Sequence, residues 1–95
     1  VAGGLRLTDP GVDLAVAVAV ASAVTNRPIA AGTAVFGEVG LAGELRSVAQ
    51  GPRRAAEAAR AQHPDVVGPR GSGAVGSWRG ARDLAAAFAA LWGRP

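Results

Sequence analysis

The chain has 95 residues, a formal net charge of +3, ten basic side chains that are all arginine, and no cysteine. That length allows one modest core, burying about 60–65% of the surface the unfolded chain exposes. Without cysteine there can be no disulfide, thiolate metal site or cysteine nucleophile, and a single histidine is too few for a zinc site. Without lysine there is no amine chemistry, while the excess of arginine weakly favours anionic partners through planar, bidentate pairing.

The bias towards alanine, glycine and arginine is that of a GC-rich genome, so the high calculated pI is not read as a sign of nucleic acid. The opening Val-Ala-Gly-Gly has no basic start of the signal-peptide kind. The longest uncharged run, Leu14 to Val24, falls well short of the ~20 residues that span a bilayer. A soluble, cytoplasmic protein without membrane contact is expected, and the missing initiator methionine points to a fragment or a processed piece.

In chain order, Val1 to Leu7 places Leu5 and Leu7 on one face and Arg6 on the other, which reads as a short strand. Asp9-Pro10 is a helix start, with Asp9 as N-cap and Pro10 where its missing N–H costs nothing. Gly11 to about Thr25 is almost entirely Val, Leu and Ala, which predicts a helix of about 22 Å that is buried all round. Asn26-Arg27-Pro28 ends it.

Val35 to Arg46 places glycines at 37, 40 and 43 between short apolar segments, and glycine tolerates the positive φ angles of a tight reversal. A hairpin is predicted, with strands near Thr33–Phe36 and Glu44–Val48. Gly51-Pro52 opens a second helix running to about Gln62. Its inner side is Ala55, Ala56, Ala58 and Ala59, and its outer, solvated side is Arg53, Glu57 and Arg60. Asp65–Gly68 is a short buried strand, Pro69 to Gly80 a loop, and Arg82 to Trp92 a terminal helix carrying Leu84, Phe88, Leu91 and Trp92 at helical spacing. This order gives an α/β domain with helices packed on a mixed sheet.

The run Gly37-Glu-Val-Gly-Leu-Ala-Gly-Glu-Leu-Arg46, with Gly3-Gly-Leu-Arg6 and Asp13-Leu-Ala-Val-Ala17 before it and Arg54 and Glu57-Ala-Ala59 after it, is family-specific. Over roughly residues 1–67 it resembles the C-terminal domain of the RadA (Sms) family of bacterial DNA-repair proteins. The resemblance implies a fold like the proteolytic domain of Lon proteases, of the ribosomal protein S5 domain 2-like type. It also implies that residues 1–95 are a single, truncated domain, the C-terminal half of the family's own. In Lon the hairpin reads Gly-Glu-(Ile/Val)-x-Leu-x-Gly, with a nucleophilic serine before the long helix and a catalytic lysine at the start of the next.

Counting from Arg27-Pro28 and Gly37-Glu38, the serine falls on Gly11 and the lysine on Pro52. A Ser–Lys dyad needs a hydroxyl and an amine that can take its proton, and no shift of register can supply the amine in a chain without lysine. The expectation is therefore a pseudo-protease that is not an enzyme. ATP, magnesium and zinc belong, by the resemblance, to an ATPase core and a zinc motif absent from this chain, which itself carries no cofactor.

The resemblance further implies ring-shaped homo-oligomers, a hexameric ring among the candidates, and contact with single-stranded or branched DNA. Arg6, Arg46, Arg53, Arg54 and Arg60 are the arginines assigned to that contact, since Arg53 and Arg54 open a helix whose N–H groups can also meet phosphate. The bland alternative pairs Arg53 with Glu57 and leaves the others solvated. Glu38 and Glu44 read as turn and strand residues rather than a catalytic carboxylate pair. The stretch Gly68-Pro-Arg-Gly-Ser-Gly73 lacks the lysine of a phosphate loop, His63 has no second ligand, and Trp92 is a packing residue. Trp78, in the predicted loop, is either packing or a platform for a base or a neighbouring subunit. Three functions remain: a non-catalytic scaffold domain of a recombination and repair ATPase that assembles and touches DNA, an oligomerisation module without DNA contact, and the Ser–Lys peptidase that the composition opposes.

Overall fold

The computed structural model describes residues 10–70 and 77–93. The strand expected at Val1–Leu7, the Asp9 cap, Arg6 and the middle of the predicted loop lie outside them. A 3-10 turn at Pro10–Val12 leads into α1 (Asp13–Thr25), close to the predicted start. The helix ends as expected. Asn26 takes a left-handed conformation (φ 53°) with its N–H bonded to the Ser22 carbonyl, and the Ser22 hydroxyl donates to the Arg27 carbonyl at 2.6 Å.

Three parallel strands, β1 (Thr33–Val35), β4 (Asp65–Pro69) and β5 (Ser77–Ala81), form a sheet in the order β1-β4-β5. The central strand is buried from Val66 to Pro69, which explains its continuous apolar run. A separate antiparallel ribbon pairs β2 (Glu38–Val39) with β3 (Leu45–Arg46), Glu38 facing Arg46 and Val39 facing Leu45. The parallel and antiparallel pairings that the sequence led us to expect are thus divided between two ladders.

The hairpin differs from its expected form. Thr33–Val35 joins the parallel sheet, with Ala34 opposite Val66, and antiparallel pairing begins only at Glu38. The chain leaves the sheet at Gly37 because α1 takes over its backbone groups: the Gly37 N–H donates to the Gly11 carbonyl at 3.0 Å, and the Gly37 carbonyl accepts from the Leu14 N–H at 2.9 Å. The Asp13 carboxylate then accepts from the Val39 N–H at 3.1 Å. The Leu14 bond serves an N–H group that a helix start leaves without an intrahelical partner. On its other side the ribbon meets the start of α3 (Leu84–Trp92), through Leu45 N–H to the Arg82 carbonyl and Leu84 N–H to the Gly43 carbonyl, both 2.9 Å.

Of the three hairpin glycines, Gly43 takes a positive φ, +83°, and Gly37 and Gly40 do not. At Gly40 an added Cβ would lie 2.2 Å from the Glu44 carboxylate, which folds back to accept from the Ala42 N–H at 3.1 Å and would have to shift.

The core gathers Leu14, Val18, Val67, Ala81 and Ala87, with Leu84, Phe88, Leu91 and Trp92 packed against it. The apolar stripe predicted for the last helix therefore faces the core. Its cap is Asp83, whose Oδ1 accepts from the Ala86 N–H at 2.8 Å. In contrast, α1 is not buried all round. Leu14 and Val18 are buried, but Val16, Val20 and Val24 are 45%, 58% and 79% exposed. They recur at i, i+4 and i+8 on one face, and among the described residues that face is open. In α2 (Gly51–Arg60), Ala55 is buried while Ala59, expected inside, is exposed.

The predicted loop Pro69–Gly80 contains β5. Ser-Trp-Arg-Gly-Ala has no β-branched residue and no clean alternation, so local propensity does not announce a strand. Pairing with β4 over Asp65–Pro69 holds it in place. Trp78 adds a ring contact with Phe36 at 5.9 Å and an indole N–H bond to the Pro69 carbonyl at 3.1 Å. Among the described residues no helix is long and apolar enough to cross a membrane.

Candidate nucleic-acid interface

The first turn of α2 is the most chemically furnished place in the described chain. Gln50 precedes the helix in a left-handed conformation and supplies no side-chain cap, and Pro52 occupies the opening turn. Arg53 and Arg54 follow. With Gln50, Glu57, Phe36, Ala49 and Ala58 they line a cavity of about 460 Å³.

The two arginines are held differently. The Arg53 guanidinium donates to the Gln50 side-chain oxygen at 3.2 Å, and among the described residues no carboxylate pairs with it. The expected alternative, Arg53 with Glu57, is replaced by a close Glu57–Arg60 ion pair three residues apart. Arg54 turns inward, its Nε donating to the Ala49 carbonyl at 2.9 Å. Its guanidinium lies against Gly11, where an added Cβ would come within 2.9 Å of Cζ and both terminal nitrogens. Gly11 is itself buried. The place that the Lon resemblance assigns to a serine therefore adjoins an arginine head, and the lysine place, Pro52, is exposed on the opening turn of α2.

The other proposed contacts are dispersed. Arg46, on β3, pairs with Glu44 at 3.2 Å and Glu38 at 4.0 Å. Arg60 sits in the last turn of α2 beside Glu57. Of the four that are described, Arg53 and Arg54 line the cavity. Glu38 and Glu44 thus serve Arg46 from the ribbon rather than facing one another across a cleft. The Glu44 carboxyl is held below its ordinary value of 4.5, first by its own backbone N–H and then by the Arg46 guanidinium.

Trp78 packs in β5 rather than standing in a loop. Trp92 is fixed by its indole N–H bond to the Pro28 carbonyl at 3.1 Å and by Arg27, 5.7 Å from its ring centroid. His63 is exposed. Sequence reasoning named the two arginines of the cavity but missed Phe36, Gln50 and Ala49. The available signal was Phe36 itself, one of two phenylalanines in the chain, placed just before the hairpin.

No protein-family model matches the chain. Among curated proteins, one named DNA repair protein RadA from Mycobacterium tuberculosis (strain H37Rv) is 55% identical over 58 residues, 61% of this chain. Its counterpart from Mycolicibacterium smegmatis is 51% identical over 69 residues, or 73% of the chain. That from Listeria monocytogenes is 40% identical over 83 residues, or 87%. This chain is similar to RadA. It spans 12%, 15% and 18% of the lengths of these three relatives, so the likeness is to a small part of each RadA protein.

Proposed function

We propose that this chain is a non-catalytic, Lon-like scaffold domain of a RadA-type DNA recombination and repair protein, acting in the cytoplasm, and that its α2 surface contacts DNA. The likeness to proteins named for DNA repair supports the setting. The observation that carries the contact is Arg53, a cation with only an amide partner among the described residues, beside Arg54 at a helix start. The absence of lysine and the arginine packed on Gly11 support a domain without Ser–Lys chemistry.

The test is a fluorescence-anisotropy titration of the intact protein on DNA at several salt concentrations. Arg53→Ala removes an exposed side chain that supports no other described residue except Gln50. It is expected to weaken binding and to reduce the salt slope by about 0.7–0.9, the share of one phosphate contact. An unchanged slope refutes the contact.

The second function, assembly without DNA contact, is favoured by one observation: the open Val16, Val20 and Val24 face of α1. A contiguous apolar face suits a second copy of the same chain. Val20→Asp is expected to leave the fold intact, because Val20 is 58% exposed, and to shift light-scattering mass towards smaller species. An unchanged mass distribution removes this face from assembly.

A further inference from the structure

We propose that the cavity beside α2 receives one unpaired nucleotide of a DNA strand, with its base against Phe36 and its phosphate at Arg53. This rests on the α2 surface being the DNA contact and goes further, to what that contact reads. A phosphate-binding surface needs only cations on an open face. Here the cations border a cavity of about 460 Å³, within the range of small-ligand sites.

The lining is divided in the way a nucleotide is. Phe36, Ala49 and Ala58 offer apolar and aromatic surface, Gln50 and Glu57 offer hydrogen-bonding groups, and Arg53 and Arg54 offer positive charge. A phosphate alone would leave the apolar part unfilled. A duplex keeps its bases stacked and paired, so it presents phosphates but no free ring face. An unpaired nucleotide supplies a flat ring for Phe36, a polar base edge and an anion together.

The charge balance points to the same mouth. Arg46 and Arg60 are matched by Glu38, Glu44 and Glu57, and Arg53, in the cavity lining, has no carboxylate partner among the described residues. Trp78 is unavailable as a platform, because its indole is committed to Phe36 and the Pro69 carbonyl.

The experiment compares the intact protein on three probes of equal length: an ordinary single strand, a strand of abasic sugar-phosphate units, and a duplex. The ordinary strand is expected to bind about tenfold more tightly than the abasic one, the effect of one stacked base. Ala58→Leu, which fills the cavity from a helical position, should abolish that difference. Phe36→Leu should reduce it, with the fold checked by circular dichroism.

Equal binding of ordinary and abasic strands, with Arg53→Ala still weakening both, would overturn the nucleotide pocket while leaving the DNA surface standing. No effect of Arg53→Ala on any probe would overturn the DNA surface itself. Retention of the base preference in both cavity variants would also overturn the proposal.

Discussion

Gly11→Ala should destabilise the protein, and the reason lies in another residue. The new Cβ would sit 2.9 Å from three atoms of the Arg54 guanidinium, whereas carbon contacts settle near 3.5–4.0 Å. The guanidinium must therefore retreat by about 0.6–1 Å. A retreat that carries Nε along lengthens its bond to the Ala49 carbonyl, now 2.9 Å. One such bond contributes about 1 kcal/mol. For a domain of this size that corresponds to a fall in Tm of about 4–8 °C.

The backbone is not the obstacle, since Gly11 is not among the described glycines with positive φ. In an Arg54→Ala background the same Gly11→Ala change should then be neutral, or slightly stabilising through the unfolded chain. The assay is a double-mutant cycle by urea denaturation, with an expected coupling of about 1 kcal/mol. Equal losses from Gly11→Ala in both backgrounds would refute the idea that Arg54 occupies this space.

Two further outcomes follow from side chains that serve backbone groups. Asp83→Ala removes the carboxylate that accepts from the Ala86 N–H at 2.8 Å, and should cost about 1 kcal/mol in the same denaturation assay. Asp83→Asn should recover most of it. Glu44 titrates below its unfolded value of 4.5, so its contribution to stability is present above that value and is lost as pH falls through the lower folded one. Wild type should therefore exceed Glu44→Gln in stability at neutral pH, and the gap should close in acid. A gap independent of pH would show that the carboxylate's charge is not what holds the loop.

The elements were largely legible where the residues carry their own local reason. Pro10, Asn26 and Pro28 punctuate α1, Val66-Val67 announce the buried strand, and the spacing of Leu84, Phe88, Leu91 and Trp92 places α3 on the core. What was not legible depends on partners distant in sequence. β5 exists because β4 lies beside it, and the hairpin begins late because α1 claims the backbone of Gly37. The all-apolar composition of α1 said that no face is polar, but it could not say which faces are covered. Leu14 and Val18 meet the core, while Val16, Val20 and Val24 are exposed among the described residues.

The site shows the same division more sharply. The two arginines at the helix start and the glycine before α1 were each visible as single letters, and counting set Gly11 and Pro52 at the protease positions. Nothing in the sequence joined Gly11 to Arg54, because that contact spans the hairpin and the opening of α2. Once joined, they explain each other. A residue without a side chain leaves room for a guanidinium, and the guanidinium fastens the segment before α2 through Ala49. Under the Lon-like proposal, loss of the serine then does more than silence a nucleophile. It leaves the space that the Arg54 guanidinium takes in the wall of the cavity whose lining includes Arg53. Gly11→Ser would test that coupling directly. It should leave the protein without peptidase activity, for want of an amine, and should weaken DNA binding by displacing Arg54; undiminished binding would separate the two.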